Sequence, residues 1–237
     1  MSTDTVRIDG SQGEGGGQIV RSSLALAIVT GRPVVIEQVR AGRERPGLMR
    51  QHLTAVRAAQ EICQANVTGD EIGSSSLEFQ PGPVQAGEYR FAVGTAGSAT
   101  LVLQTVLPPL LIAPGPSRLV LEGGTHNPWA PPFDFLQQVY LPLVNRMGPR
   151  VTATLERAGF YPAGGGRFVV EITPATAGSE RDFGLSGFDL LERGNVLSKK
   201  GRVLIANLPD HIADRELKEL ARLAPWDESG LVREAVK

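Results

Sequence analysis

The sequence has little that would suit a secreted, membrane-spanning or generally nucleic-acid-binding protein. Its one cysteine, Cys63, excludes an internal disulfide and is typical of a reducing cytosol. Its formal net charge is -1, so it lacks the basic excess that attracts nucleic acid non-specifically. The opening "MSTDTVRIDG" has no apolar stretch of signal-peptide length. We therefore predict a globular, cytoplasmic protein in which any recognition of phosphate is local.

What the chain does contain is a pattern that predicts a βαβαββ unit. A strand at 5–9 precedes a helix from about Gln18 to Thr30, which Gly31 ends as a C-cap. A strand at 33–39, a helix at about 48–65 and two further strands complete the unit. The pattern is then repeated: Gly115 corresponds in position to Gly31, and Pro131 corresponds to Pro46. This repetition indicates a second copy of the unit.

The pattern changes after the second unit. We predict that residues 1–180 form a core of two βαβαββ repeats and that residues 181–237 hold a partial third repeat and the start of a small inserted α/β domain. In the latter, "GRVLIANLP" (201–209) is typical of a strand and 210–224 of an amphipathic helix. The predicted fold class is α+β.

The first candidate site is the glycine-rich stretch "QGEGGGQIVR" before the first helix. Glycines such as Gly15 and Gly16 let a backbone approach a ligand closely, and a helix start favours anions. Arg21 lies on the apolar stripe of this helix and needs an anionic partner, which is either Glu14 or a ligand phosphate. Glu14 is either a surface acid or the ligand of a divalent cation shared with phosphate oxygens.

The second candidate site is the loop "RAGRERPGLMRQH", in which arginines cluster without an overall basic excess. Arginine binds phosphate oxygens bidentately, so Arg40 and Arg43 are candidate phosphate ligands, although a solvated loop is the alternative. On the following helix, Gln51 is predicted to be free for a ligand. His52 lies on the apolar stripe and is expected to be a hydrogen-bonded inward residue rather than a catalytic one.

Two features of the second repeat are candidates for nucleotide binding. Gln104 is an amide within the apolar helix "SATLVLQTVLPPLL", so it either finds a backbone partner in the core or contacts a ligand. The loop "GGTHNPWAPPFDF" contains His126, Trp129 and Pro131, and it is either a structural connector or a platform on which a base stacks.

These strings together, with "GTAGSATLVLQTVLP" and "GFYPAGGG", resemble the RNA 3'-terminal phosphate cyclase family over nearly the whole chain. The resemblance implies an enzyme that uses ATP and a divalent cation (Mg or Mn) to convert RNA 3'-phosphate ends into 2',3'-cyclic phosphates. The implied route is nucleotidyl transfer, through a histidine-bound AMP and then an RNA-adenylate.

The resemblance also implies residue roles. Glu14 would be the metal ligand, and Gly15 and Gly16 would approach the nucleotide phosphates. Gln104 and Pro131 would contact the nucleotide. The residues lining the phosphate and RNA-end site would be Arg21, Arg40, Arg43 and Gln51.

One departure from the family concerns the nucleophile. No stretch of this chain matches the family's segment with the nucleophilic histidine, and the three histidines present lie in other motifs. We therefore expect a truncated chain that keeps the phosphate and nucleotide pockets without forming the covalent adenylate. Two alternatives remain open: a non-catalytic, cyclase-like RNA-binding protein of ribosome assembly, and an enolpyruvyl transferase-like enzyme.

Overall fold

The first βαβαββ unit has the predicted order of elements. The computed structural model describes residues 4–175, 184–224 and 230–236. The unit runs through β1 (Val6–Asp9), α1 (Gly17–Thr30), β2 (Val34–Glu37), α2 (Arg50–Cys63), β3 (Asn66–Thr68) and β4 (Leu77–Gln80). Gly31 ends α1 in the left-handed conformation (φ 67°), as predicted. The second helix is two residues shorter at each end than the sequence predicts.

The four strands of this unit form one sheet in the order β1-β2-β4-β3. β1 and β2 are parallel, as a crossover through a helix requires, whereas β4 is antiparallel to both β2 and β3. In β4, Leu77 and Phe79 are buried while Glu78 and Gln80 are exposed, so one face of the sheet lies against the core.

The second unit repeats the first. It contains β5 (Glu88–Ala92), α3 (Ala99–Leu110), β6 (Ser117–Gly123), α4 (Phe133–Phe135), α5 (Leu141–Asn145), β7 (Arg150–Arg157) and β8 (Gly166–Thr173). A π-helical turn (Leu136–Tyr140) joins α4 to α5. The sheet order is β5-β6-β8-β7, with β5 and β6 parallel and β8 antiparallel to both β6 and β7. The α+β fold class is therefore confirmed, and the two repeats share one topology.

The two repeats share a single hydrophobic core, in which helices α1, α2 and α3 pack against one another. Leu24, Ile62 and Leu103 represent the three helices there, and each is at most 1% exposed. The starts of α2 and α3 lie side by side, because the N–H of Ser98, the N-cap of α3, donates to Gln51 in the first turn of α2. Segments of both repeats therefore meet there.

The chain divides into two compact units, residues 1–187 and 188–237. The boundary predicted at residues 180 and 181 lies outside the described residues and stays a prediction. The second unit contains β9 (Gly201–Ile205), α6 (Asp210–Leu223) and β10 (Leu231–Ala235), with β9 and β10 parallel and α6 packed on both. In the parts of the chain that the structure describes, no helix is both long enough and apolar enough to cross a bilayer.

Candidate phosphate and nucleotide site

The glycine-rich loop forms the wall of a pocket at the first turn of α1. Gly16 is the N-cap and Gly17 the first helical residue, and no side chain caps the helix. A Cβ on Gly16 would lie 2.8 Å from Nη2 of Arg43, and a Cβ on Gly17 would overlap the ring of His52. The glycines therefore let two side chains of the neighbouring loop and helix approach the backbone N–H groups of the helix start.

Arg21, one turn further along α1, is a buried cation without a carboxylate partner among the described residues. It is 7% exposed, and burial lowers its pKa to about 10. Its Nε donates to Oε1 of Gln104 (3.0 Å) and its Nη2 donates to Oε1 of Gln18 (3.0 Å). Two neutral amides orient this guanidinium but do not neutralise it. Of the two partners that the sequence left open, Glu14 is therefore not the one observed.

Glu14 instead pairs with Arg43, whose Nη2 lies 3.1 Å from Oε2 of the carboxylate. The Glu14 side chain is 91% exposed, and exposed ion pairs contribute little stability. Glu14 is the one acid among the described residues that line the pocket. No group of three or more His, Cys, Asp or Glu side chains capable of holding a metal occurs within residues 4–175, 184–224 and 230–236.

Arg40 stabilises the arginine-rich loop and also lines the pocket. It has a positive φ of 56° and donates from Nη1 to the carbonyl oxygens of Arg45 (2.8 Å) and Gly47 (2.7 Å). Burial, followed by the charge of Arg43, lowers the pKa of Arg40. Arg45 and Arg50, which belong to the same cluster in the sequence, are exposed and do not line the pocket.

Gln51 lines the pocket, as the sequence predicts for a ligand-facing residue, but its amide oxygen is engaged within the protein. Its Oε1 accepts a hydrogen bond from the backbone N–H of Ser98 (2.7 Å), the N-cap of α3. Ser98 is 2% exposed, and a buried N–H needs a partner. Gln51 therefore joins the start of α2 in the first repeat to the start of α3 in the second.

His52 is a hydrogen-bonded, inward histidine, as predicted. Its Nδ1 accepts the N–H of Met49 (3.2 Å), and its other ring edge packs against Gly17. Burial, followed by the positive charges of Arg40 and Arg21, lowers the pKa of His52 to about 3. The ring also lines the pocket, which the sequence reasoning did not predict.

A second, more apolar recess adjoins the first on α3. It is about 180 Å³ in volume and contains both predicted nucleotide contacts, Gln104 and Pro131, beside Leu107 and Tyr140. Gln104 is exposed rather than enclosed in the core, and its partner is Arg21 rather than the backbone. Leu101 lines both recesses, and the Arg21–Gln104 hydrogen bond spans them.

The structure thus brings the predicted site residues to one place. The larger recess is about 800 Å³ and is lined by Glu14, Gly15, Gly16, Arg21, Arg40, Arg43 and Gln51. The lining residues that the sequence reasoning did not assign to it include Gln12, Gln18, His52 and Trp129. Three arginines and a helix N-terminus against one carboxylate produce a positive field suited to phosphate groups.

A family model described as RNA 3'-terminal phosphate cyclase matches residues 12–220, a span that includes all of these site residues. The chain belongs to the RNA 3'-terminal phosphate cyclase family. A member from Koribacter versatilis (strain Ellin345), named RNA 3'-terminal phosphate cyclase, is 57% identical to this chain over 216 residues. The matched region covers 91% of this chain and 59% of that protein, so the chain spans about three fifths of its relative's length.

Proposed function

We propose that this chain supplies the phosphate- and nucleotide-binding part of an RNA 3'-terminal phosphate cyclase, which uses ATP to convert RNA 3'-phosphate ends into 2',3'-cyclic phosphates. The observation that carries the proposal is Arg21. It is a buried guanidinium in the pocket that Arg40 and Arg43 also line, and its partners among the described residues are amides. Burying an uncompensated charge is costly, and an anionic phosphate in the pocket compensates it.

The pocket suits two phosphate-bearing ligands. The larger recess is polar enough for phosphate groups, and the recess around Gln104 and Pro131 offers an apolar surface and an amide to a nucleobase. The arginines stabilise the negative charge that develops when a phosphorus centre is attacked and pyrophosphate leaves. Their fixed positions, through Arg40 on the loop carbonyls and Arg21 on the amides, orient the phosphate groups before reaction.

The described pocket residues fit a divalent cation only if phosphate oxygens of the bound ligand also coordinate it. Mg²⁺ is commonly held by one or two carboxylates together with substrate phosphates, and Glu14 provides one carboxylate. A cation bound there would neutralise phosphate charge and polarise the phosphoryl group. Binding of the cation would require the Glu14–Arg43 ion pair to break. Breaking it costs little free energy because both side chains are exposed.

No stretch of the sequence matches the family's segment with the nucleophilic histidine. Of the histidines in the first unit, His52 accepts the Met49 N–H at Nδ1, and its other ring edge faces Gly17. His126 lies between Thr125 and Asp134, at 2.8 Å from each. We therefore propose that the chain binds ATP and the RNA end and does not retain AMP covalently on its own residues.

Equilibrium binding tests the proposal. An oligoribonucleotide with a 3'-phosphate should bind at least about tenfold more tightly than the same oligonucleotide with a 3'-hydroxyl, because charge-assisted hydrogen bonds to the phosphate are lost. Arg43→Ala should remove this preference, whereas Arg45→Ala, in the same loop but outside the pocket, should keep it. Equal affinity of the wild-type chain for the two oligonucleotides would contradict phosphate-end recognition.

Two further measurements separate the alternatives. ATP binding detected by calorimetry favours the cyclase, whereas RNA binding without ATP binding favours a non-catalytic RNA-binding protein. After incubation with ATP labelled in the α-phosphate and denaturation, the chain should retain no label. Retained, acid-labile label would show that the chain does form a covalent adenylate on one of its own residues.

A further inference from the structure

Trp129 is the residue of this site that nothing above explains. Its side chain is fully exposed, and its backbone has a φ of 66°. A positive φ is uncommon for any residue except glycine, and for a bulky side chain it is a clear outlier. A tryptophan side chain in water lacks the stabilisation that burial of its large apolar surface gives. Residues with such uncommon backbone conformations cluster at ligand-binding positions.

The exposure of Trp129 does not follow from a loose loop. The backbone on its amino-terminal side is anchored by Asn127, whose Nδ2 donates to the carbonyl oxygen of Ala96, and by the stacking of His126 on Phe160. On its carboxyl-terminal side, the Thr100 hydroxyl donates to the carbonyl oxygen of Pro131 (2.9 Å). The loop therefore presents the indole from a preformed backbone, which lowers the entropy cost of binding.

Trp129 and Pro131 line different recesses of the site. Trp129 lines the larger recess with the arginines, whereas Pro131 lines the apolar recess with Gln104. The proposed reaction brings two nucleotides together, the adenylate derived from ATP and the terminal nucleotide of the RNA. The recess at Pro131 accommodates one base, which leaves the indole for the other.

We propose that Trp129 is a stacking platform for the base of the RNA's 3'-terminal nucleotide. This inference rests on the proposed function. The 3'-phosphate and the terminal base are attached to the same ribose, so a phosphate held by Arg40 and Arg43 keeps that base near an aromatic side chain of the same pocket. Stacking uses the π face that every base has, so the platform accepts all four bases.

The first experiment measures affinity with and without the terminal base. Two oligoribonucleotides with 3'-phosphates are compared, one complete and one with an abasic 3'-terminal ribose. The complete oligonucleotide should bind the wild-type chain about 5- to 150-fold more tightly than the abasic one. Trp129→Ala should lose this difference, and Trp129→Phe should retain part of it. A terminal-base effect that is equally large in Trp129→Ala would overturn the proposal.

Intrinsic fluorescence gives an independent readout. The sequence has two tryptophans, Trp129 and Trp226, so the Trp226→Phe variant leaves Trp129 as the sole indole. The complete oligonucleotide should quench this emission strongly, whereas ATP alone and the abasic oligonucleotide should not. Quenching by ATP alone would assign the indole to the ATP base and overturn the proposal.

The outcomes also distinguish this inference from the proposed function. If wild type and Trp129→Ala both prefer the 3'-phosphate over the 3'-hydroxyl and bind the complete and abasic oligonucleotides alike, only the stacking role fails. If the wild-type chain has no preference for the 3'-phosphate, the proposed function fails first.

Discussion

Arg21 of the first repeat donates a hydrogen bond from Nε to Oε1 of Gln104 in the second, across 83 residues of sequence and 3.0 Å of space. The contact joins helices α1 and α3, which hold equivalent places in the two βαβαββ units. It also joins the recess that suits phosphate to the recess that suits a base. The orientation of the buried guanidinium therefore depends on both repeats.

Replacing Arg21 should separate stability from binding. Burial lowers the pKa of Arg21, which means that its charged form is disfavoured in the folded chain. Arg21→Met removes this buried charge, so the free energy of unfolding should stay the same or rise. Affinity for ATP should fall by about tenfold to a hundredfold, because a charge-assisted hydrogen bond to phosphate is lost. Denaturant unfolding and calorimetry measure the two quantities. A variant that is strongly destabilised would show that Arg21 holds the fold together rather than a ligand.

Gln51 should act through its hydrogen bond to Ser98 as well as through the pocket. Gln51→Met leaves the buried Ser98 N–H without a partner, so the free energy of unfolding should fall by about 1–3 kcal/mol. Gln51→Glu keeps an acceptor at the start of α3 and should preserve stability, while its charge repels phosphate and weakens binding. Gln60→Glu, on the same helix but outside the pocket, is the matched control. Equal phosphate affinity in Gln51→Glu and wild type would place Gln51 outside the ligand's reach.

His52 should make stability depend on pH. Its pKa is about 3 in the folded chain, below the ordinary 6.5 of an unfolded histidine, so the unfolded state binds more protons between these values. Its contribution to stability is full above pH 6.5 and is lost as pH falls toward 3, with a slope of at most about 1.4 kcal/mol per pH unit. In His52→Asn, which keeps an acceptor for the Met49 N–H, the loss of stability between pH 6.5 and 4.5 should be smaller than in wild type.

Urea unfolding at the two pH values measures this difference. The His211→Asn variant changes an exposed histidine of α6 and should behave like wild type. An unchanged pH dependence in His52→Asn would mean that the imidazole is not held neutral.

Glu14 should matter for the metal and not for the fold. Because its pair with Arg43 is exposed, Glu14→Gln should leave Tm within about 2 °C of wild type. It should weaken ATP binding in the presence of Mg²⁺ more than after chelation by EDTA, since the carboxylate acts through the cation. Glu44→Gln, an exposed acid of the facing loop, is the control. Equal losses with and without Mg²⁺ would refute a role in metal binding.

Much of the fold follows from local patterns that are visible in the chain. The 3.6-residue apolar period of α1 and the left-handed Gly31 after it predict the observed helix and its end. The prediction for α2 extends two residues too far on each side, where Leu48 and Ala65 are buried residues outside the helix. Burial alone does not distinguish a helix residue from a core residue beside it.

The site residues were identifiable from their types, but their partners were not. Arginines, glycines and one acid near helix starts indicate phosphate binding because those groups supply N–H donors and positive charge. The sequence pattern does not predict that Glu14 pairs with Arg43 rather than with Arg21. It also does not predict the hydrogen bond between Gln51 and Ser98. Gln104 was expected to need partners in an apolar helix, yet it faces the pocket, because the apolar stripe of α3 leaves that side open.

The order of helices and strands, the duplication and the chemical character of the two loops can all be read from the chain, since each depends on neighbours a few residues apart. The pocket cannot be read in this way, since contacts across 83 residues (Arg21 to Gln104) and 47 residues (Gln51 to Ser98) assemble it. Only the packing of α1, α2 and α3 into one core brings these side chains within hydrogen-bond distance. The same packing sets Trp129 beside the arginines, which no periodicity in its loop predicts.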